Sequence, residues 1–176
     1  MKYLLLLLLL PTLAFGCGKE RAAVKNGTDK DAHRVVFAPV HTNVQTLGLM
    51  PIPGHHNPLT PSRLPEELET ATVSGIMTLI KLEKDEDYHI VISDGNKTMI
   101  VEAPHPHCAK GSVFALQIAQ VRKAIDAHFG GAIHGRHITN IPVTVTGVLF
   151  FDYLHGQEGV AKNGIELHPI LGIKFH

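Results

Sequence analysis

Glu166 and His168 stand two apart in the run Gly164-Ile165-Glu166-Leu167-His168. On a strand that spacing sends both side chains to one face. His155 lies upstream, across a polar loop that begins near Asp152 and ends near Asn163. Two imidazoles and a carboxylate are a ligand set for zinc that leaves a coordination position open. His155, Glu166 and His168 are therefore the candidate metal ligands. The competing role is structural: Asp152, His155, Asn163, Glu166 and His168 would hydrogen-bond across the loop and fix its shape. A second set is Pro104-His105-Pro106-His107-Cys108. Imidazole and thiolate suit zinc or copper, but the set contains too few ligands for a closed structural site. His134, Arg136 and His137 form a third group, read as a solvated loop. Catalytic residues remain unknown. The chain has no phosphate-binding Gly-rich loop, no Gly-x-Ser-x-Gly elbow and no His-Glu-x-x-His, which lowers the expectation of a common hydrolase, kinase or dehydrogenase.

The elements that position these groups begin at about Thr70. Thr72–Leu82 is rich in strand formers, with Gly75 marking a bulge or bend. Tyr88–Ser93 alternates, and Asp94-Gly95-Asn96 turns it into Thr98–Ala103. Val113–Phe129 carries Phe114, Ile118, Val121, Ile125 and Phe129 on one helical stripe. Ser112 is placed to cap that helix and Gly130-Gly131 to end it. Pro142–Asp152 and Gly164–Phe175 are the last two strands. This order predicts an all-β domain with one helix: a five-stranded Greek-key barrel of the OB type, with the helix between strands three and four. An α+β sheet with the helix on one face is the competing architecture.

Residues before Thr70 show no sustained period. They are charged at first and proline-rich later, from Pro51 to Pro65. Such a stretch buries too little apolar surface to offset its ordering entropy. The division expected is 1–16 signal, 17–69 disordered Pro-rich tether, 70–176 folded domain. A weak strand, Arg34–Ala38, is the one element expected in the tether.

The signal rests on Lys2, the seven leucines Leu4–Leu10, and Ala14-Phe15-Gly16 before Cys17. This is an export layout and resembles a bacterial lipoprotein signal, although Ala14 stands where Leu is usual. The resemblance implies lipidation of Cys17, attachment to a membrane and, from Gly18 where inner-membrane lipoproteins often carry Asp, an outer-membrane destination in a Gram-negative envelope. Two uses of Cys17 are open. If it is acylated, Cys108 is left single and reads as a small buried hydrophobe. If it is free, it can pair with Cys108, the other cysteine in the chain.

Charge is balanced, 16 basic against 16 acidic residues, so the basic footprint of a phosphate binder is missing. With 13 histidines the chain would gain positive charge near pH 6. The loop Glu83–Asp87 is acidic and would repel phosphate and attract cations.

The run Gly147 to Pro169, with Asp87-Tyr88-His89-Ile90-Val91-Ile92 and Thr98-Met99-Ile100-Val101-Glu102, resembles a widespread bacterial family of uncharacterised OB-fold proteins. Some of its members are exported lipoproteins that have been called nucleic-acid-binding by fold analogy. The resemblance covers roughly Thr70 to His176. Glu86 stands where the family commonly has a turn glycine, and Lys162 where it has proline. It implies an exported, lipid-anchored binding module whose ligand is nucleic acid, contacted by Tyr88, His89 and Met99, with His155 and Asn163 at the loop mouth. An envelope protein or glycan is an equally open partner. The rival readings are a metal-dependent hydrolase or nuclease and a structural envelope protein. No cofactor is expected unless zinc occupies the His155 set.

Overall fold

The computed structural model describes residues 16–54 and 60–176. The expected signal lies outside these residues except for Gly16. The fold is mostly β, a six-stranded mixed sheet with three α-helices among the described residues. The strands are β1 (Val40–Thr42), β2 (Thr70–Leu82), β3 (Tyr88–Asp94), β4 (Lys97–Ala103), β5 (Arg136–Phe151) and β6 (Ile165–Phe175). The helices are α1 (Ala22–Asn26), α2 (Val44–Leu47) and α3 (Ala115–Phe129). Short 3-10 turns cover Ala32–Arg34 and Pro65–Leu68.

β2 pairs antiparallel with β3 on one side and with β5 on the other. The pairings β2–β3–β4–β6–β5 thus run in a circuit that returns to β2. β4 and β6 join in parallel, Ile100 opposite Glu166 and Val101 opposite Leu167. The hairpin turns where expected: Asp94 pairs with Lys97 across Gly95-Asn96, and Gly95 takes φ +61°, the left-handed conformation that glycine adopts without penalty. Gly75 has a different role from the one expected. The register shift in β2 falls between Met77 and Leu79. At Gly75 a Cβ would lie 2.6 Å from both Ile92 Cγ2 and Ser93 O, so this glycine admits a close approach of β3.

α3 follows β4 and precedes β5, so in chain order it lies between the third and fourth of the five circuit strands. It starts at Ala115, two residues later than the expected Val113. Ser112 Oγ accepts from Phe114 N–H at 3.0 Å, and the residue flanking the helix is Phe114. The stripe serves two clusters. Val121 and Ile125 pack in the main core with Ile80, Ile90, Ile92, Val101 and Leu167. Phe114 and Ile118 pack in a second cluster with Ala32, Val35, Ala109 and Val148.

That second cluster corrects the tether over 17–69. Its described part is ordered on the domain. Val24, Val44, Leu47 and Leu64 are buried, and β1 adds a parallel strand to β2 at Val40–Thr42, not at Arg34–Ala38. Charge holds the segment as firmly as apolar contact does. Arg21 grips Glu67 through both guanidinium nitrogens, with Nη1 to Oε1 at 2.8 Å, and the pair is buried. Glu67 also accepts from Leu64 N–H and Phe151 N–H, at 2.8 and 3.0 Å. Arg63 pairs with Asp29 at 2.8 Å and donates to Val24 O. Composition misleads here because polar residues that solvate a free chain can equally pair with one another when buried.

The sulfurs of Cys17 and Cys108 are joined in a disulfide. Cys108 is therefore not the single buried thiol of the lipid-anchor reading. A disulfide sulfur cannot also carry a thioether-linked lipid, so the bond and the anchor are alternative uses of Cys17.

Candidate functional site

Strand alternation divides each of β3, β4 and β6 between two faces. Tyr88, Ile90 and Ile92, then Met99, Val101 and Ala103, then Ile165 and Leu167 enter the main core. His89, Glu102, Glu166 and His168 alternate with these residues and turn to the other face. All four are nonetheless buried, at 1, 8, 1 and 0 % exposure. The N-terminal segment and the loop after β5 cover them. Between cover and sheet lies a cleft of about 530 Å³, lined by Gly18, Lys25, Glu83, Asp87, Glu102, Asp152 and Glu158 among others.

His89 and Glu102 face each other across the β3–β4 hairpin, with His89 Nδ1 3.0 Å from Glu102 Oε1. His89 Nε2 lies 2.9 Å from Glu158 O. Both ring nitrogens thus meet acceptors. Burial pulls the His89 pKa down, but the Glu102 hydrogen bond and charge outweigh it and the pKa is raised.

His168 is the centre of the cluster. Glu102 Oε2 lies 3.2 Å from its Nδ1, Glu166 Oε2 3.9 Å from the same nitrogen, and Asp87 Oδ2 3.3 Å from its Nε2. These approaches are close in distance but off the N–H direction, so neither ring nitrogen makes an aligned hydrogen bond. Both Glu166 oxygens are buried without a hydrogen-bond partner as well. Burial pushes the Glu166 carboxyl up to about 7, helped by the charges of Glu102 and Asp152. Burial opposes protonation of His168, but the Asp87, Glu102 and Glu166 carboxylates prevail and raise it to about 10. Ligand atoms of Asp87, Glu102 and His168 all lie within 4.8 Å of one another, as do those of Glu83, His89 and Glu102.

Lys25 of α1 closes the cleft. Its Nζ pairs with Asp152 Oδ2 at 3.2 Å and lies over the Phe150 ring. Burial disfavours its charge, but Asp152, Glu102 and Glu166 outweigh this and its pKa is raised, while Lys25 holds Asp152 below the usual carboxylate range against its own burial. Arg21 and Lys25 lie over the Phe150 ring, and His168 meets that ring edge-on at 5.5 Å.

The expected site residues scatter. Glu166 and His168 come together, with Glu166 Oε2 3.9 Å from His168 Nδ1, but neither Glu166 nor His155 belongs to a ligand group with His168. It lines the cleft on the exposed loop, where its N–H donates to Gln157 and its ring stacks on Tyr153. In place of the set His155, Glu166, His168, the group at His168 is Asp87, Glu102 and His168, with Glu166 beside it. Asn163 is a strut: it donates to Leu47 O and Met50 O at 2.9 and 3.0 Å and accepts from Ile165 N–H. Tyr88 and Met99 are fully buried in the core and offer no stacking surface. Tyr88 Oη donates to Asp126 and accepts from Ile133 N–H, and Arg122 covers its ring at 3.3 Å. Of the expected contact residues, His89 alone enters the cluster.

Glu102 and Lys25 were missed, and Asp87 was read only as part of the cation-attracting Glu83–Asp87 loop. A signal for Glu102 was present: counting outward equally from the Gly95-Asn96 turn sets it opposite His89. For Lys25 there was none, because its partner Asp152 is 127 residues away.

Comparison with known proteins leaves the site unassigned. No family model and no curated protein matches the chain. Among solved structures, the chain is similar to one described as an aspartyl-tRNA synthetase from Leishmania major Friedlin, at TM-score 0.44 and 14 % identity over 80 % of this chain. It spans 21 % of that protein. It is also similar to the OBody AM3L09 bound to hen egg-white lysozyme, at TM-score 0.39 and 10 % identity over 66 % of this chain and 96 % of that one.

Proposed function

We propose that this protein is an exported OB-type binding module that holds a divalent transition-metal ion on Glu102, Glu166 and His168, with Glu102 reaching the acidic cleft and Glu166 and His168 buried behind it. The observation that carries this is Glu166, a carboxylate 1 % exposed with neither oxygen hydrogen-bonded, set beside an imidazole whose nitrogens also lack aligned partners. Burying a carboxylate without partners costs several kcal/mol in protein interiors. A cation removes that cost. The 3.2 Å between Glu102 Oε2 and His168 Nδ1 is close to the about 3.4 Å edge between two ligands of a tetrahedral zinc. With Nδ1 on the ion, Nε2–H faces Asp87, the carboxylate partner that orients a ligating imidazole. Zinc or manganese suits such an oxygen-rich set with one imidazole.

The closed circuit of five strands, with α3 between the third and fourth in chain order, supports the OB-type reading. The disulfide and the apolar leader together support export to an oxidising compartment, with Cys17 bonded to Cys108 in place of a lipid anchor. The carboxylates of the cleft favour a cation over the phosphates of a nucleic acid.

The test is metal analysis of the disulfide-bonded protein after dialysis against zinc or manganese. One tightly held equivalent is expected, lost in Glu166→Gln and His168→Gln, while a single-stranded oligonucleotide does not bind. Absence of stoichiometric metal in the folded wild type, or retention of an oligonucleotide by the cleft, would overturn the reading.

A further inference from the structure

The Pro104–Cys108 motif lies outside the cation centre, and the fold completes it from two distant places. Cys17 arrives from the N-terminal segment and Glu86 from the turn before β3. His107 Nε2 is 3.3 Å from Cys108 Sγ and 3.2 Å from Glu86 Oε2. Ligand atoms of Cys17, His107 and Cys108 lie within 4.8 Å of one another, and so do those of Glu86, His105 and His107. His107 is the shared vertex.

Glu86 is held there at a conformational cost. Its φ is +69°, and Arg21 is the other non-glycine residue with positive φ among those described. A side chain with a Cβ is disfavoured in that region. Backbone contacts secure the turn: Glu83 N–H donates to Asp87 O, Glu86 N–H to Glu83 O, and Arg122 Nη1 to Glu86 O at 2.8 Å. The Oε2 so placed is buried without a hydrogen-bond partner. His105 Nδ1, 2.7 Å from His107 Nδ1, fixes the ring that presents Nε2. The His107 side chain is 48 % exposed, so ions and reductants can reach it.

We infer that reduction of the Cys17–Cys108 disulfide creates a zinc site of two thiolates, His107 Nε2 and a Glu86 carboxylate oxygen. Two sulfurs, one nitrogen and one oxygen make a closed tetrahedral set. The oxidised form lacks it, because the sulfurs are spent on each other. The electrons come from a dithiol or phosphine reductant. The S–S bond breaks and two electrons and two protons yield two thiols: a dithiol supplies both and becomes its disulfide, whereas a phosphine supplies the electrons and takes its oxide oxygen from water, which gives the two protons. Zinc then displaces both thiol protons as two S–Zn bonds form. Reoxidation by a small-molecule disulfide, which takes up the two electrons and leaves as two thiols, re-forms the Cys17–Cys108 bond, removes the thiolate ligands and releases the ion. The device couples zinc retention to thiol redox state, and its ligands are separate from those of the cation centre proposed above.

Cobalt(II) is the probe, added to the full chain before and after reduction with a phosphine under anaerobic conditions. In the oxidised chain no sulfur-to-cobalt charge-transfer band is expected. The reduced chain gains that band and one further equivalent of cobalt, displaced by one equivalent of zinc. His107→Ala should weaken zinc at this site at least as much as the about 10–100-fold seen when an orienting partner is lost. Glu86→Gly separates ligation from folding: the oxidised protein should melt higher, because the turn is relieved, while the reduced protein binds zinc more weakly. Should reduction unfold the chain, Cys17→Ser, which has no disulfide, takes its place. It keeps one thiolate with His107 and Glu86 and should show a weaker band that vanishes in Cys17→Ser/His107→Ala. A reduced chain without the band, a band equal in both redox states, or zinc affinity unchanged in both His107→Ala and Glu86→Gly would overturn the inference. So would loss of the band together with the metal in Glu166→Gln, which would place the ion at the other centre.

Discussion

Arg21 and Glu67 show how single residues decide what the N-terminal segment does. Their guanidinium and carboxylate are buried at 2 and 0 % exposure and bonded through two nitrogens. Removing one partner leaves the other as an uncompensated buried charge, which costs about 3–5 kcal/mol. Arg21→Ala and Glu67→Ala should each lower unfolding free energy by that amount in denaturant titrations. A loss below about 1 kcal/mol, the usual range for surface pairs, would mean that the segment is not docked as described. His168 and Glu166 carry a pH signature with a definite sign. In the folded state both bind their protons more tightly than an unfolded chain would, at about 10 against 6.5 and about 7 against 4.5. The stabilisation from Glu166 is full below about 4.5 and is lost by about 7, and that from His168 is full below about 6.5 and is lost by about 10. In chelator, the melting temperature should therefore fall from pH 6 to pH 10, and His168→Gln should flatten that fall. A melting temperature that rises over the same range would contradict the assignment.

At the scale of elements, the β2–β3 contact is set by the absence of a side chain at Gly75. A Cβ there meets a backbone carbonyl at 2.6 Å, which cannot move without breaking the ladder. Gly75→Ala should cost about 1–3 kcal/mol, as overpacking does, without altering the strand content seen by circular dichroism. A neutral substitution would show that the strands separate freely at this point. The β3–β4–β6 face is organised by the same alternation that builds the core. Residues on one parity, such as Ile90, Val101 and Leu167, enter the apolar interior, and His89, Glu102, Glu166 and His168 lie on the other.

For the whole molecule, the disulfide closes a loop of 91 residues between the N-terminal segment and the domain. The chain-entropy account gives about 4–5 kcal/mol for a loop of this size, with about 2–4 kcal/mol typically measured. Cys17→Ser/Cys108→Ser should lower stability within that range. Limited proteolysis of the oxidised protein should leave protection reaching back to about Gly18, and the double variant should be trimmed faster at that end. Equal trimming in both would show that the buried Arg21 and Arg63 pairs alone hold the segment.

Local pattern alone was enough to place β2 to β4, β6, the Gly95-Asn96 turn and the stripe of α3, because strand and helix periods are properties of neighbouring residues; β5 was placed only in part, since it begins at Arg136, six residues before the expected Pro142, and takes in Arg136 and His137 that were read as a solvated loop. Local pattern also paired Glu166 with His168 on one face, for the same reason. What lay beyond it was everything that joins distant segments. The docking of residues 17–54 and 60–69 depends on Arg21 meeting Glu67 and Arg63 meeting Asp29, 46 and 34 residues apart. The Cys17–Cys108 bond depends on the same docking. Tyr88 and Met99 went inward because the parity of β3 and β4 puts them with the core residues, while His89 and Glu102 took the outer face. His155 stayed out of the cluster because its loop folds on Tyr153 and Gln157. Sequence carried the periods and the chemistry of the side chains. Tertiary structure alone chose their partners, since burial of a charge is tolerable only where the fold supplies its counter-charge.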